Sequence, residues 1–325
     1  MIRNYRSNFR EHIVGLLKLK QSCGFQYNTT AEYYLSCFDQ FCVKHFPEEH
    51  QLSRLLVLTW AELHPGETSV SHRRRLSAIR QLTKYMISQG IHGTFVLPDK
   101  FGGKIVRRIP HFFTLEEVKS FFRCIDSLPV INIKPGRHLT FPVLFRVLYC
   151  CGLRPSEVRL LKCIDANLEK GIFLIRNSKE CKDRLVILSD SLLQLCRKYD
   201  QKMKVIIPGR IFFFPKDMIN HQNTQGLRQV FLDSWKRAGL EHGPGTPPHV
   251  FDLRHHFALS NLNRWVENGE DFNAKLPYLC RYMGHSKLEN TDYYLHFVSS
   301  FFPVFKEKTQ DTFNELIPEA RYEKR

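Results

Sequence analysis

Residues 282–296 read Tyr-Met-Gly-His-Ser-Lys-Leu-Glu-Asn-Thr-Asp-Tyr-Tyr-Leu-His. The stretch carries a Gly-His pair, Gly284 and His285, and then Tyr294, nine residues after the histidine. A phenol is a weak nucleophile near neutrality, because its reference pKa is about 10. It can attack a phosphodiester where cations meet the phosphate charge and a base takes its proton. The stretch therefore asks for a set of cations elsewhere in the chain. Two arginines sit in well-formed local contexts, Gly152-Leu153-Arg154-Pro155-Ser156-Glu157 and Asp252-Leu253-Arg254-His255. With Lys179 on an expected hairpin, the order along the chain is Arg, Lys, Arg, His, Tyr.

The composition suits a polyanionic partner. The 325 residues suggest about two domains, and 43% hydrophobic content is ample for a globular core. A net charge of +16 favours nucleic acid. No apolar run approaches the roughly 18 residues that span a bilayer, and the N-terminal residues lack an apolar signal core, so the expectation is a cytoplasmic protein with no membrane partner. The ten cysteines contain no Cys-x-x-Cys pair. They read as reduced core residues rather than metal ligands or disulfides. No cofactor and no metal is expected.

Apolar spacing divides the chain. Phe9, Ile13, Leu16 and Leu17 mark one face of a helix, with Gly24 as its stop. A second helix follows Thr29 and Glu32, and a third runs near 53–63. The fourth, 69–88, has an apolar stripe of Leu76, Ile79, Leu82 and Met86, with Arg73, Arg74, Arg75, Arg80 and Lys84 expected on other faces. Five cations on one helix suit phosphates, which position a protein on DNA without reading sequence. Residues 1–92 thus form a helical domain. Residues 93–112 form a basic linker that includes Arg107 and Arg108, both candidate DNA contacts, and residues 113–325 form a second domain. In that domain Thr114 and Glu117 can cap a helix, 141–151 is an apolar helix ended by Gly152, and Pro155 suits a first helical turn. Two β-prone runs, 171–176 and 184–188, make a hairpin. Helices are expected at 190–203, 224–238, 252–264, 275–283 and 287–296. The fold class is mainly α with a small β-sheet.

The local sequences Cys151–Glu157, Asn177-Ser178-Lys179, Asp252–Ala258 and Met283–His285 followed by Tyr294, in that order, resemble the tyrosine recombinase (phage integrase) family. The resemblance covers roughly residues 112–300. It implies a helical core-binding domain and a mixed α/β catalytic domain closing on duplex DNA as a C-shaped clamp. It assigns Arg154 and Arg254 as phosphate clamps, Lys179 as the acid for the leaving 5′ oxygen, His285 as a further donor and Tyr294 as the nucleophile. Lys182 and Arg184 compete with Lys179, and Tyr293 with Tyr294. Glu157 reads as a partner that orients Arg154. The implied reaction is site-specific strand transfer through a 3′-phosphotyrosyl link, without ATP or metal, for a mobile element. Its partners would be duplex DNA with specific recombination sites and, on DNA, three further copies of the chain. Free in solution the chain would be a monomer or weak oligomer. The apolar tail Phe301, Phe302, Val304 and Phe305 could dock on a neighbour or on its own domain.

One position departs from the family. Three residues before Arg254, where a histidine is usual, stands Phe251. Phenylalanine can neither donate to an oxygen nor accept a proton. His249, His255 or His256 could compensate, the enzyme could be slower, or the chain could bind DNA without cutting it. A type IB topoisomerase would share the same chemistry.

Overall fold

The computed structural model describes residues 4–24, 29–102, 108–176, 183–240 and 247–284. The expected hairpin turn with Lys179 and Lys182, Arg107, His285, Tyr293, Tyr294, the 287–296 helix and the apolar tail lie outside the described residues. The chain forms two compact units, Met1–Arg108 and Ile109–Arg325.

The first unit consists, in its described residues, of four helices: α1 (Arg10–Ser22), α2 (Thr29–His45), α3 (Arg54–Ala61) and α4 (Ser69–Ser88). The Ser53 side chain accepts the Leu56 amide and the Thr68 side chain accepts the Ser71 amide, which sets the starts of α3 and α4. Gly24, at φ +74°, follows α1 in the left-handed conformation that ends helices. The apolar stripes converge on one core that includes Phe9, Ile13, Leu16, Leu35, Phe38, Trp60, Leu76, Ile79, Leu82 and Met86. Leu97 is buried in this same core, so the first part of the expected linker packs with the helices.

The second unit begins with α5 (Leu115–Asp126), started by a complete Thr114/Glu117 capping box. It continues through α6 (Arg137–Cys151) and α7 (Pro155–Leu160) to a three-stranded antiparallel sheet. The strands β1 (Ala166–Asn167), β2 (Ile172–Ile175) and β3 (Arg184–Ile187) lie in that order. The two-residue β1 was not expected; so short a strand carries no alternation to detect. Then come α8 (Asp190–Ile206), α9 (Thr224–Arg237), α10 (Asp252–Glu267) and α11 (Phe272–Met283). Helix α6 is apolar nearly all round and buries Phe141, Val143, Leu144, Phe145, Val147 and Leu148. A helix of that kind belongs in the centre, and α5, α7, α8 and α10 all pack on it. Helices α10 and α11 share a smaller cluster of Ala258, Leu259, Leu262, Leu276, Leu279 and Met283.

In the sheet Phe173 pairs with Val186, and Ile175 with Arg184. Side chains alternate between faces along a strand, so Arg184 shares the inner face with buried Val186 while Leu185 and Ile187 are exposed. Cys42, Cys151 and Cys196 are buried free thiols. Among the described residues, no helix is long and apolar enough to cross a membrane.

Candidate active site

Two helix ends build the site. Helix α6 stops at Gly152, in the left-handed conformation at φ 58°. A β-carbon there would lie 2.3 Å from the Phe257 ring of α10, so the position excludes side chains on two counts. The chain then extends through buried Leu153 to Arg154, the N-cap of α7, with Pro155 in the first turn. Helix α11 stops at Gly284, also left-handed, at φ 65°.

Three arginines meet at the second of these ends. Arg184 donates through Nε to the Tyr282 carbonyl at 2.8 Å. Arg254 donates to the Met283 carbonyl at 2.6 Å and to the Gly152 carbonyl at 2.7 Å. Arg154 donates to the Gly284 carbonyl at 2.7 Å. Three successive carbonyls at the negative end of α11 are thus each met by a guanidinium. Arg254 lies on the first turn of α10 and is 1% exposed. The helix begins at Asp252, the start its sequence suggests. Phe251 is the N-cap, and the Asp252 carboxylate accepts the His249 amide at 2.8 Å.

Glu157 ties two of these arginines together. Its carboxylate accepts from the Arg154 amide at 2.8 Å and from the Arg154 guanidinium at 2.7 Å. It also takes a two-point bond from Arg184, at 2.9 and 2.7 Å. Burial pushes this carboxyl up, but the bonds and charge of Arg184, then those of Arg154, outweigh it and hold the pKa at about 2. The group is an anion at any working pH. Tyr282 stacks on Phe257 with ring centroids 5.7 Å apart, and burial pushes its phenol up, the opposite of what an activated nucleophile needs.

The structure therefore brings Arg154 and Arg254 together on the carbonyls of Gly284 and Met283, the two residues before His285. Arg184, read in the sequence only as a rival to Lys179, joins them, and its place on the inner face of β3 was the signal available. The histidines offered as substitutes for the missing donor separate. His249 is exposed. His255 is half-buried and sits edge-on to the Phe251 ring at 5.0 Å. His256 stacks on Tyr149 at 5.3 Å and reaches the Ser260 hydroxyl at 3.1 Å. Burial, with His111 nearby, pushes the His256 pKa down against the pull of Glu117.

The expectation that five α4 cations stand off the apolar stripe is corrected at two. Arg75 is 3% exposed and donates to the carbonyls of Trp60 and Glu62 and to both Glu67 oxygens. Arg80 is 8% exposed and donates to the carbonyls of Leu97, Pro98 and Phe101. Arg75 stands four residues before Ile79, and Arg80 four after Leu76, which puts both on the buried side of the helix. Arg74 and Lys84 are exposed, while Arg73 and Arg108 are half-buried.

Comparison with known proteins agrees in kind. The profile of the phage integrase family matches residues 112–299, more than half of the chain. Two Sinorhizobium fredii proteins carry the name "Putative integrase/recombinase". One of them, y4rB, is 26% identical over 89% of this chain and 93% of its own length. The other, y4rE, is 36% identical over 50% of this chain; the match spans 54% of that relative. The crystal structure of a XerH site-specific recombinase bound to its difH substrate shares the fold, with a TM-score of 0.62 at 18% identity. The likeness covers 82% of this chain and 76% of that one.

Proposed function

From the membership of this chain in the phage integrase family, which the match over residues 112–299 establishes, we propose that it cuts and rejoins DNA at specific sites through a tyrosyl intermediate. In this reading Arg154 and Arg254 gather the non-bridging oxygens of one phosphodiester. Arginine suits the task because its planar fork can hold two oxygens and stays charged at all working pH values. The Tyr294 oxygen attacks phosphorus as its phenol proton leaves to water, forming a 3′-phosphotyrosyl bond while the bond to the 5′ oxygen breaks. Lys179 gives that oxygen its proton, and His285 donates to the phosphate. The ester energy is retained, so a second strand's 5′ hydroxyl can reverse the step without ATP.

The observation that carries this reading is the meeting of Arg154 and Arg254 on the carbonyls of Gly284 and Met283. Met283 and Gly284 are the two residues before His285, eleven and ten residues before Tyr294. Exposed Arg74 and Lys84, with Arg73, Arg107 and Arg108, would hold the duplex backbone, and four copies would act on two duplexes. The protein would work in the cytoplasm on the ends of a mobile element. The name "Putative integrase/recombinase" of the two Sinorhizobium fredii relatives supports the strand-transfer reading.

The test is covalent trapping on a nicked duplex taken from the DNA that flanks the gene. A denaturant-resistant adduct should form, and Tyr294→Phe should abolish it. A protein that shifts the duplex but leaves no adduct would be a silent binder, the reading that Phe251 favours. Relaxation of any supercoiled plasmid, regardless of sequence, would instead mark a topoisomerase.

A further inference from the structure

We infer that Arg184 is a positioning residue that keeps the Arg154 guanidinium on the end of α11 by holding Glu157 in place. All three of its side-chain nitrogens are engaged: Nε on the Tyr282 carbonyl and the two terminal nitrogens on the two Glu157 oxygens. It is only 10% exposed, and Glu157 only 6%. A guanidinium does not give up its proton at working pH, so Arg184 cannot serve as the acid for a leaving oxygen. Its fork bonds both oxygens of the Glu157 carboxylate.

The reason for a second arginine lies in the carboxylate. A buried Glu157 faced by Arg154 alone would draw that guanidinium into a two-point pair, the preferred geometry of an arginine with a carboxylate. Arg154 would then leave the Gly284 carbonyl. With Arg184 holding both oxygens from β3, Arg154 takes only one Glu157 oxygen with its side chain and reaches Gly284 with the other terminal nitrogen. Arg184 also fastens β3 to α11 through Tyr282. That strand begins directly after the segment that carries Lys179 and Lys182.

This inference rests on the proposed strand-transfer chemistry and is tested on the same nicked duplex with the full chain. Arg184→Met and Arg184→Lys are compared with the parent in single-turnover adduct formation. One duplex carries the natural phosphodiester, and the other a methylphosphonate at the cut position, which lacks one charged oxygen. Arg184→Met should slow the natural substrate about 100-fold, as a displacement of about 1 Å would. The same change should slow the methylphosphonate, where arginine charge matters less, by about tenfold or less. Duplex affinity should stay within about threefold, because the displaced group acts on the reacting phosphate and not on the backbone contacts. Arg184→Lys should recover about tenfold on the natural substrate, since one of the two carboxylate bonds survives. Equal slowing on both substrates, or a rate within threefold of the parent, overturns the inference. If Arg184→Met does not fold, the two-substrate ratio of Arg184→Lys decides in the same way. A parent that forms no adduct on the phosphodiester removes the strand-transfer reading itself, and this inference with it.

Discussion

Buried arginines occur in both units, and they are used differently. In the first unit Arg75 and Arg80 donate to carbonyls 13 to 21 residues away, and Arg75 also lies over the Trp60 ring at 4.9 Å. Each pins nearby loops to its own helix. In the second unit Arg154, Arg184 and Arg254 reach across 130, 98 and 29 residues to one helix end, and Arg254 also reaches the Gly152 carbonyl, 102 residues away. The first pattern holds a local shape. The second assembles segments distant in the chain around one point, as a reactive centre requires. Burial of a guanidinium therefore does not separate the two patterns; convergence from separate segments does.

Four experiments would break or sharpen that contrast. The largest effect is expected at Arg254. Replacing it by alanine should lower adduct formation by about 1,000-fold, the scale for loss of a transition-state donor. Arg254→Lys should fare little better, because a lysine lacks the planar fork whose two terminal nitrogens serve the Gly152 and Met283 carbonyls separately. A mild effect would place Arg254 with Arg75 as a fold pin.

Next is Glu157→Gln, which leaves two partly buried cations with a neutral partner. It should cost about 3 kcal/mol in urea unfolding near pH 7. The carboxyl is held at about 2 in the folded chain against an ordinary value of 4.5. Its contribution is therefore complete above pH 4.5 and is lost as the pH falls toward 2. The gap between parent and variant should narrow over that window. A gap that stays constant would mean the carboxylate's charge contributes nothing.

Within the first unit, Arg75→Met should lower stability by about 2 kcal/mol, since it strands buried carbonyls. Arg74→Ala should leave stability unchanged and instead reduce the salt dependence of duplex binding by about one charge. Exchanged outcomes would show that the two neighbouring arginines have been assigned the wrong way round. The smallest effect concerns His256. Its pKa is lowered from the usual 6.5, chiefly by burial. Its neutral form therefore favours folding above pH 6.5, and that advantage fades as the pH falls through the lowered value. His256→Asn should flatten the decline in stability below pH 6.5 by less than about 1 kcal/mol, measured by thermal melts across pH 5 to 7.

Much of the fold was legible because its signals are local. The Thr114/Glu117 box, the Gly152 stop before Pro155, and the β-prone runs around 172 and 187 each act within a few residues of their own position. Arg154 and Arg254 were legible through resemblance, since nothing local says that residues 100 apart share a helix end. Arg75 and Arg80 were misplaced because a charged side chain on an apolar face looks like a break in the stripe. Main-chain carbonyls that satisfy such a charge come from loops, and periodicity is blind to them. Arg184 escaped for a related reason. Its alternation with Val186 pointed it inward, but the carboxylate awaiting it stands 27 residues earlier.

The two left-handed glycines have a practical bearing on mutational screens. Gly152 and Gly284 own no reactive atom, yet Arg254 and Arg154 each lean on one of their oxygens. A library scored by turnover would rank these two positions beside the arginines and invite a search for chemistry in residues that have none. Anyone recoding this chain should hold both glycines fixed and read their intolerance as a statement about backbone direction.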